Sequence, residues 1–121
     1  MTTQQIAAMI AGFGVPYAYD HFSPTAEHPM PAPPFVCFSY PNSDDFYADD
    51  CNYQIIHAVS IELYSDNKDF ALEARIEAAL TANELPWRKE ETYLGGEKLY
   101  MVTWECSAVI TTNDTSQSAS G

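Results

Sequence analysis

The chain has 121 residues, enough for one compact domain and too few for two ordinary ones. Hydrophobic residues make up 46% of it, so it can bury a core, while 17 acids against five bases leave a net charge of −12. That balance excludes nucleic-acid binding through a basic footprint, and no apolar run approaches the roughly 18–20 residues of a membrane-spanning helix.

The opening Thr2–Ile10 predicts a helix, with Ile6, Met9 and Ile10 at i, i+3, i+4 and an uncharged cap residue, ended by Gly12 and Gly14. Tyr17 to Phe22 alternates loosely and reads as a strand. Five of the eight prolines fall between Ser23 and Pro34, which makes that segment a loop or extended arm. Phe35–Tyr40 is a short aromatic strand. Gln54 to Tyr64 is the clearest strand, with Ile55, His57, Val59, Ile61 and Leu63 on one face and Ile56, Ala58, Ser60, Glu62 and Tyr64 on the other. Ser65-Asp66-Asn67 offers caps for a helix from about Lys68 to Ala82. Its Leu72, Ile76, Ala79 and Leu80 form the apolar stripe, and Asp69, Glu73 and Glu77 form the wet side. Strands over Trp87–Leu94 and Lys98–Ile110 are joined at Gly95-Gly96, which favours a tight hairpin turn. In the second, Tyr100, Val102, Trp104, Cys106, Ala108 and Ile110 share a face. From Thr111 onward the Ser/Thr-rich segment has little to bury and is expected to be disordered. The expectation is one domain over 1–110 and a tail over 111–121. Its fold class is α+β, with two helices and a largely antiparallel or mixed sheet of about five strands, in the order α-β-β-β-α-β-β.

Charge is distributed unevenly. Residues 1–67 contain eight acids and no Lys or Arg. The block Asp44-Asp45-Phe46-Tyr47-Ala48-Asp49-Asp50 packs carboxylates around two aromatics and reads as a solvated loop. It lacks the ordered oxygens and glycine of an EF-hand, so no metal is expected there. Cys37, Cys51 and Cys106 show no metal-ligand spacing and fit reduced thiols, the first and last packed in strands. No nucleophile elbow, P-loop or dinucleotide fingerprint occurs. His57 lies in an apolar strand pattern and reads as a packed core or interface histidine. No catalytic residue is assigned. Eight tyrosines and two tryptophans are many for one small core, and several, including Tyr40, Phe46, Tyr47, Tyr53, Tyr64 and Tyr93, fall on loops or mixed faces. Such side chains favour contact surfaces.

The run Asp44 to Asp50 leads through Tyr53 to Val59-Ser60-Ile61-Glu62-Leu63-Tyr64 and Asp66-Asn67-Lys68-Asp69. Glu73-Ala74-Arg75-Ile76-Glu77, Trp87-Arg88-Lys89-Glu90-Glu91-Thr92-Tyr93 and Glu97-Lys98-Leu99-Tyr100 follow. In this order the chain resembles the small tail-completion or tail-terminator proteins of long-tailed phages and prophages of Gram-positive bacteria, over roughly residues 1–110. The Pro-rich stretch and the Ser/Thr tail depart from that pattern. The resemblance implies an α+β subunit that closes with copies of itself into a six-fold ring, a hexamer, on the head-proximal end of the tail tube. Its partners would be the tail tube protein and the head–tail connector protein, with DNA passing through the lumen without sticking. It implies no enzyme activity, no cofactor and no membrane, and a place in the virion after assembly in the host cytoplasm. The assembly contacts expected are Asp44, Asp45, Phe46, Tyr47, Asp49 and Asp50, followed by Glu90, Glu91 and Tyr93.

Three other readings fit the composition. A stopper or head-completion protein would share the class and dock nearer the capsid. An acidic DNA mimic would need carboxylates arrayed like phosphates, and a small enzyme or ligand-binding domain would need a site the motifs do not supply.

Overall fold

The computed structural model describes residues 1–41 and 55–111. It contains α1 (Thr3–Ala11), β1 (Tyr17–Tyr19), β2 (Phe35–Ser39), β3 (Ile55–Ser65), α2 (Phe70–Ala82), β4 (Trp87–Leu94) and β5 (Leu99–Thr111). This is the α+β order read from the sequence. The strands form one five-stranded mixed sheet in the order β1-β2-β3-β5-β4, with β1 parallel to β2 and every other pair antiparallel. β5 lies between β3 and β4, so β3, α2 and β4 make a split crossover around it.

Both helices cover one face. Thr2 caps α1 by accepting from the Gln5 amide, and the Gln5 side chain accepts from the Thr2 amide in return. The α1 residues Ile6 and Ile10 and the α2 residues Leu72, Ile76 and Leu80 are buried against Val36 and Phe38, Val59, Ile61 and Leu63, and Val102, Trp104, Cys106 and Ile110. Arg75 ties the helices together by donating to the Phe13 carbonyl at 2.8 Å. The alternation of β2 and β5 thus delivers one apolar row each to a single core.

Five local expectations need correction. β1 stops at Tyr19 rather than Phe22, because Asp20 takes a positive φ of 66° and turns the chain out of the sheet. On β3 the alternation changes phase: pairing shifts between Ile56↔Ile110 and Ala58↔Ser107, where β5 supplies one extra residue. Ile56 therefore takes the core side at 4% exposure, and His57 is exposed rather than in the core. α2 starts at Phe70, since the Asp69 side chain accepts from the Leu72 amide as its cap. The hairpin closes at Leu94↔Leu99 through a four-residue loop in which Lys98, not a glycine, holds the left-handed φ of 59°. β5 includes Thr111, whose amide donates to the Met1 carbonyl at 2.9 Å while Thr2 bridges Thr111. The expected tail from residue 112 on lies outside the described residues.

Candidate functional site

Among the described residues, β4 is one edge of the sheet and β1, three residues long, is the other. From Trp87 to Tyr93 every β4 residue is exposed, including the aromatics Trp87 at 36% and Tyr93 at 53%. The phase of its backbone is set where the Ser107 amide donates to the Pro86 carbonyl at 3.2 Å. Antiparallel pairing alternates from there. Arg88, Glu90, Thr92 and Leu94 aim their amides and carbonyls inward at β5, and Trp87, Lys89, Glu91 and Tyr93 aim theirs outward. The outward four also carry their side chains on the helix-covered side, because they stand opposite Cys106, Trp104, Val102 and Tyr100. Arg88, Glu90 and Thr92 share the opposite side, which carries no helix among the described residues, with Glu62 and Thr103.

Beneath α2 the β4 positions are charged where those of β3 and β5 are apolar. Glu73 is only 3% exposed and receives Lys68 and Lys89, the latter at 3.3 Å. Lys68 also reaches Glu91 at 2.6 Å, and Lys89 reaches Glu77 at 2.8 Å. The Trp104 indole N–H donates to Glu77 at 3.1 Å, and Lys89 stands over that ring at 5.8 Å. Two lysines and three carboxylates therefore form one seam joining α2 to the edge strand. The hydrogen bond from Lys89 holds the Glu77 carboxyl below the usual range against the opposing effect of burial. Burial works against the Lys68 ammonium, yet its bonds to Glu73 and Glu91 prevail and its pKa lies above the ordinary value. Lys89 is raised likewise, first by Glu77 and then by Glu73.

Of the expected contact residues, Asp44, Asp45, Phe46, Tyr47, Asp49 and Asp50 lie outside the described residues. Glu90, Glu91 and Tyr93 lie on β4 but not as one patch. Glu91 and Tyr93 share the helix side, with Tyr93 against Tyr100 at 4.9 Å between ring centroids. Glu90 is on the other side, 3.9 Å from Arg88. Glu73, assigned to the wet side of α2, is instead the interior end of the seam. The sequence carried a signal for this: Lys89 and Glu91 fall on the same alternation as Trp87 and Tyr93.

The helix-free side is partly covered beside β2. Phe22 meets Phe35 edge-on at 5.3 Å, and Phe35 stacks on Tyr64 at 5.2 Å. The Tyr64 hydroxyl donates to Glu62 at 2.7 Å. A shallow cleft of about 370 Å³ opens there, walled by Phe22, Phe35 and Tyr64 with Asp20 and Glu97 at its margin and Cys37 beneath. Burial, and then the Glu62 and Asp20 carboxylates, push the Cys37 thiol up to about 11, so it stays protonated at neutral pH. This is the reverse of an activated thiolate. Cys106, 1% exposed, is also raised to about 11 by burial. Both thiols act as packed side chains.

No protein-family model matches the chain, and a search of curated proteins finds no relative.

Proposed function

We propose that this chain is a structural subunit of a phage virion, a tail-terminator or tail-completion protein. It joins copies of itself, six in the ring the resemblance implies, at the head-proximal end of the tail tube. The observation that carries the reading is the β4 edge, open among the described residues, an eight-residue strand with outward backbone groups and exposed aromatics at both ends. An edge of that length left uncovered is an aggregation liability, and assembly is a way to cover it. The ordered run of short motifs and the α+β class both support the same reading. A DNA mimic is the weaker alternative, because Glu73, Glu77 and Glu91 are engaged by lysines and Arg88 stands beside Glu90.

In this role the tail tube protein meets one side of the ring and the head–tail connector the other, and DNA crosses the lumen. The net charge of −12 opposes DNA adhesion to the protein. The test is imaging of particles made after deleting the coding sequence from the phage or prophage that carries it. Overlong, unjoined tails beside DNA-filled heads are expected. Normal joined virions would overturn the proposal.

A further inference from the structure

We propose that β4 pairs antiparallel with β4 of a second copy of this chain, in the one register centred on Glu90. The inference stands apart from the tail-terminator reading. It rests on which groups the edge presents and in what order.

Pairing two identical edges in opposite directions places a two-fold axis perpendicular to the sheet and keeps both helix layers on one side. Among the described residues, the backbone groups free to bond are those of Trp87, Lys89, Glu91 and Tyr93, deduced from the Ser107–Pro86 bond and the β4–β5 register. Read along the strand they run aromatic, cation, anion, aromatic, a series complementary to its own reverse. With Glu90 on the axis, Trp87 faces Tyr93 of the second copy and Lys89 faces its Glu91. All four outward residues then meet outward residues, so every free amide and carbonyl between Trp87 and Tyr93 finds a partner. The pairs are opposite in charge or aromatic, the kinds that stabilise neighbouring strands.

Neighbouring registers slip by two. One sets Lys89 against Lys89 and the other Glu91 against Glu91, like charges directly opposed. Charged residues on an edge normally discourage pairing. Here they discourage the two neighbouring alignments, and a slip of four leaves only two of the four outward pairs. On the helix-free side Arg88 comes diagonally beside Glu90 of the second copy, which offsets the approach of the two Glu90 carboxylates at the axis. Lys89 and Glu91 also belong to the seams under α2, so the contact joins the two seams across the axis.

A cap on a tube has a tube side and a head side, and its subunits all face one way. The two-fold pair turns its copies in opposite directions, so it is a form of the free chain that opens before any ring closes through this edge.

The test uses the full chain with Cys51→Ser, which leaves the buried Cys37 and Cys106 as the native thiols. At the axis the two Glu90 positions form a non-hydrogen-bonded pair with Cα atoms about 4.5 Å apart, within disulfide reach. Glu90→Cys removes an exposed side chain whose described ion-pair contact is Arg88 at 3.9 Å. It should link into covalent dimers under mild oxidation. Arg88→Cys, whose copies would lie about 13 Å apart along the strands, should not. Light scattering at tens of micromolar should give twice the mass of the chain. A monomer by scattering would overturn the pair, and so would an oligomer in which the Glu90→Cys variant links no faster than the Arg88→Cys variant. Either result would leave the deletion phenotype to decide the tail-terminator reading.

Discussion

Glu73 retains 3% of its surface, and a carboxylate so placed is tolerable only when its oxygens are matched. Lys68 reaches one oxygen and Lys89 the other. Each lysine keeps contact with solvent and a second carboxylate of its own. Glu73→Ala therefore leaves two partly wet cations rather than one stranded charge. It should lower stability by about 1–3 kcal/mol, below the usual cost of breaking a fully buried pair. Urea unfolding read by Trp104 fluorescence measures it. Glu73 escaped the sequence because helical periodicity assigns sides of a helix, and burial depends on what the opposite strand supplies. His57 escaped for a related reason: an extra residue on β5 changes the phase of β3, and the extra residue is about 50 positions away along the chain.

Among the elements, α1, α2, β4 and β5 were legible to within a few residues because cap, breaker and periodicity agreed. The β4–β5 loop was not. Gly95-Gly96 suggested a tight turn centred on the glycines, yet Lys98 takes the left-handed conformation and its amide donates to the Leu94 carbonyl at 2.7 Å. Neither Gly95 nor Gly96 has a positive φ, and nothing lies within 4 Å of a Cβ at either site. Gly14 has the same open surroundings but a φ of 82°. Gly95→Ala should therefore raise stability by about 0.5 kcal/mol by restricting the unfolded chain, and Gly14→Ala should lower it by about 1 kcal/mol. Paired urea titrations would separate the two. Of the candidate site, the alternation of β4 could be read in advance, but its place at the edge could not. Strand order is fixed by β5 inserting between β3 and β4, and no local pattern encodes that.

For the molecule as a whole, titration sets the limits of stability at both ends of the pH scale. Glu77 is held lower folded than free, so its contribution is present above the unfolded value near 4.3 and is lost as pH falls through the folded one. Lys68 and Lys89 are held higher. Their contribution is complete below about 10.4 and disappears as pH rises through their folded values. Cys37 and Cys106 give way earlier. Their thiols stay neutral in the fold up to about 11, whereas in the unfolded chain they ionise from about 8.5. Stability should therefore begin to fall above about pH 8.5, before the seam lysines discharge, and the urea midpoint followed from pH 5 to 11 should bend downward there. A profile flat to about pH 10 would contradict the burial of the two thiols.

The bridge between Thr2 and Thr111 sets a timetable for synthesis. A ribosome delivers α1 first and the strand that receives it last, so the helix must wait through the making of nearly the whole domain before its place exists. No stable half-product is expected before that moment, since the centre of the core is β5 itself, packed through Val102, Trp104, Cys106 and Ile110. Such long-range closure is slow compared with local helix formation. Nascent chains stalled before β5 clears the exit tunnel should remain open to protease along their full length, and resistance should arrive in a single step.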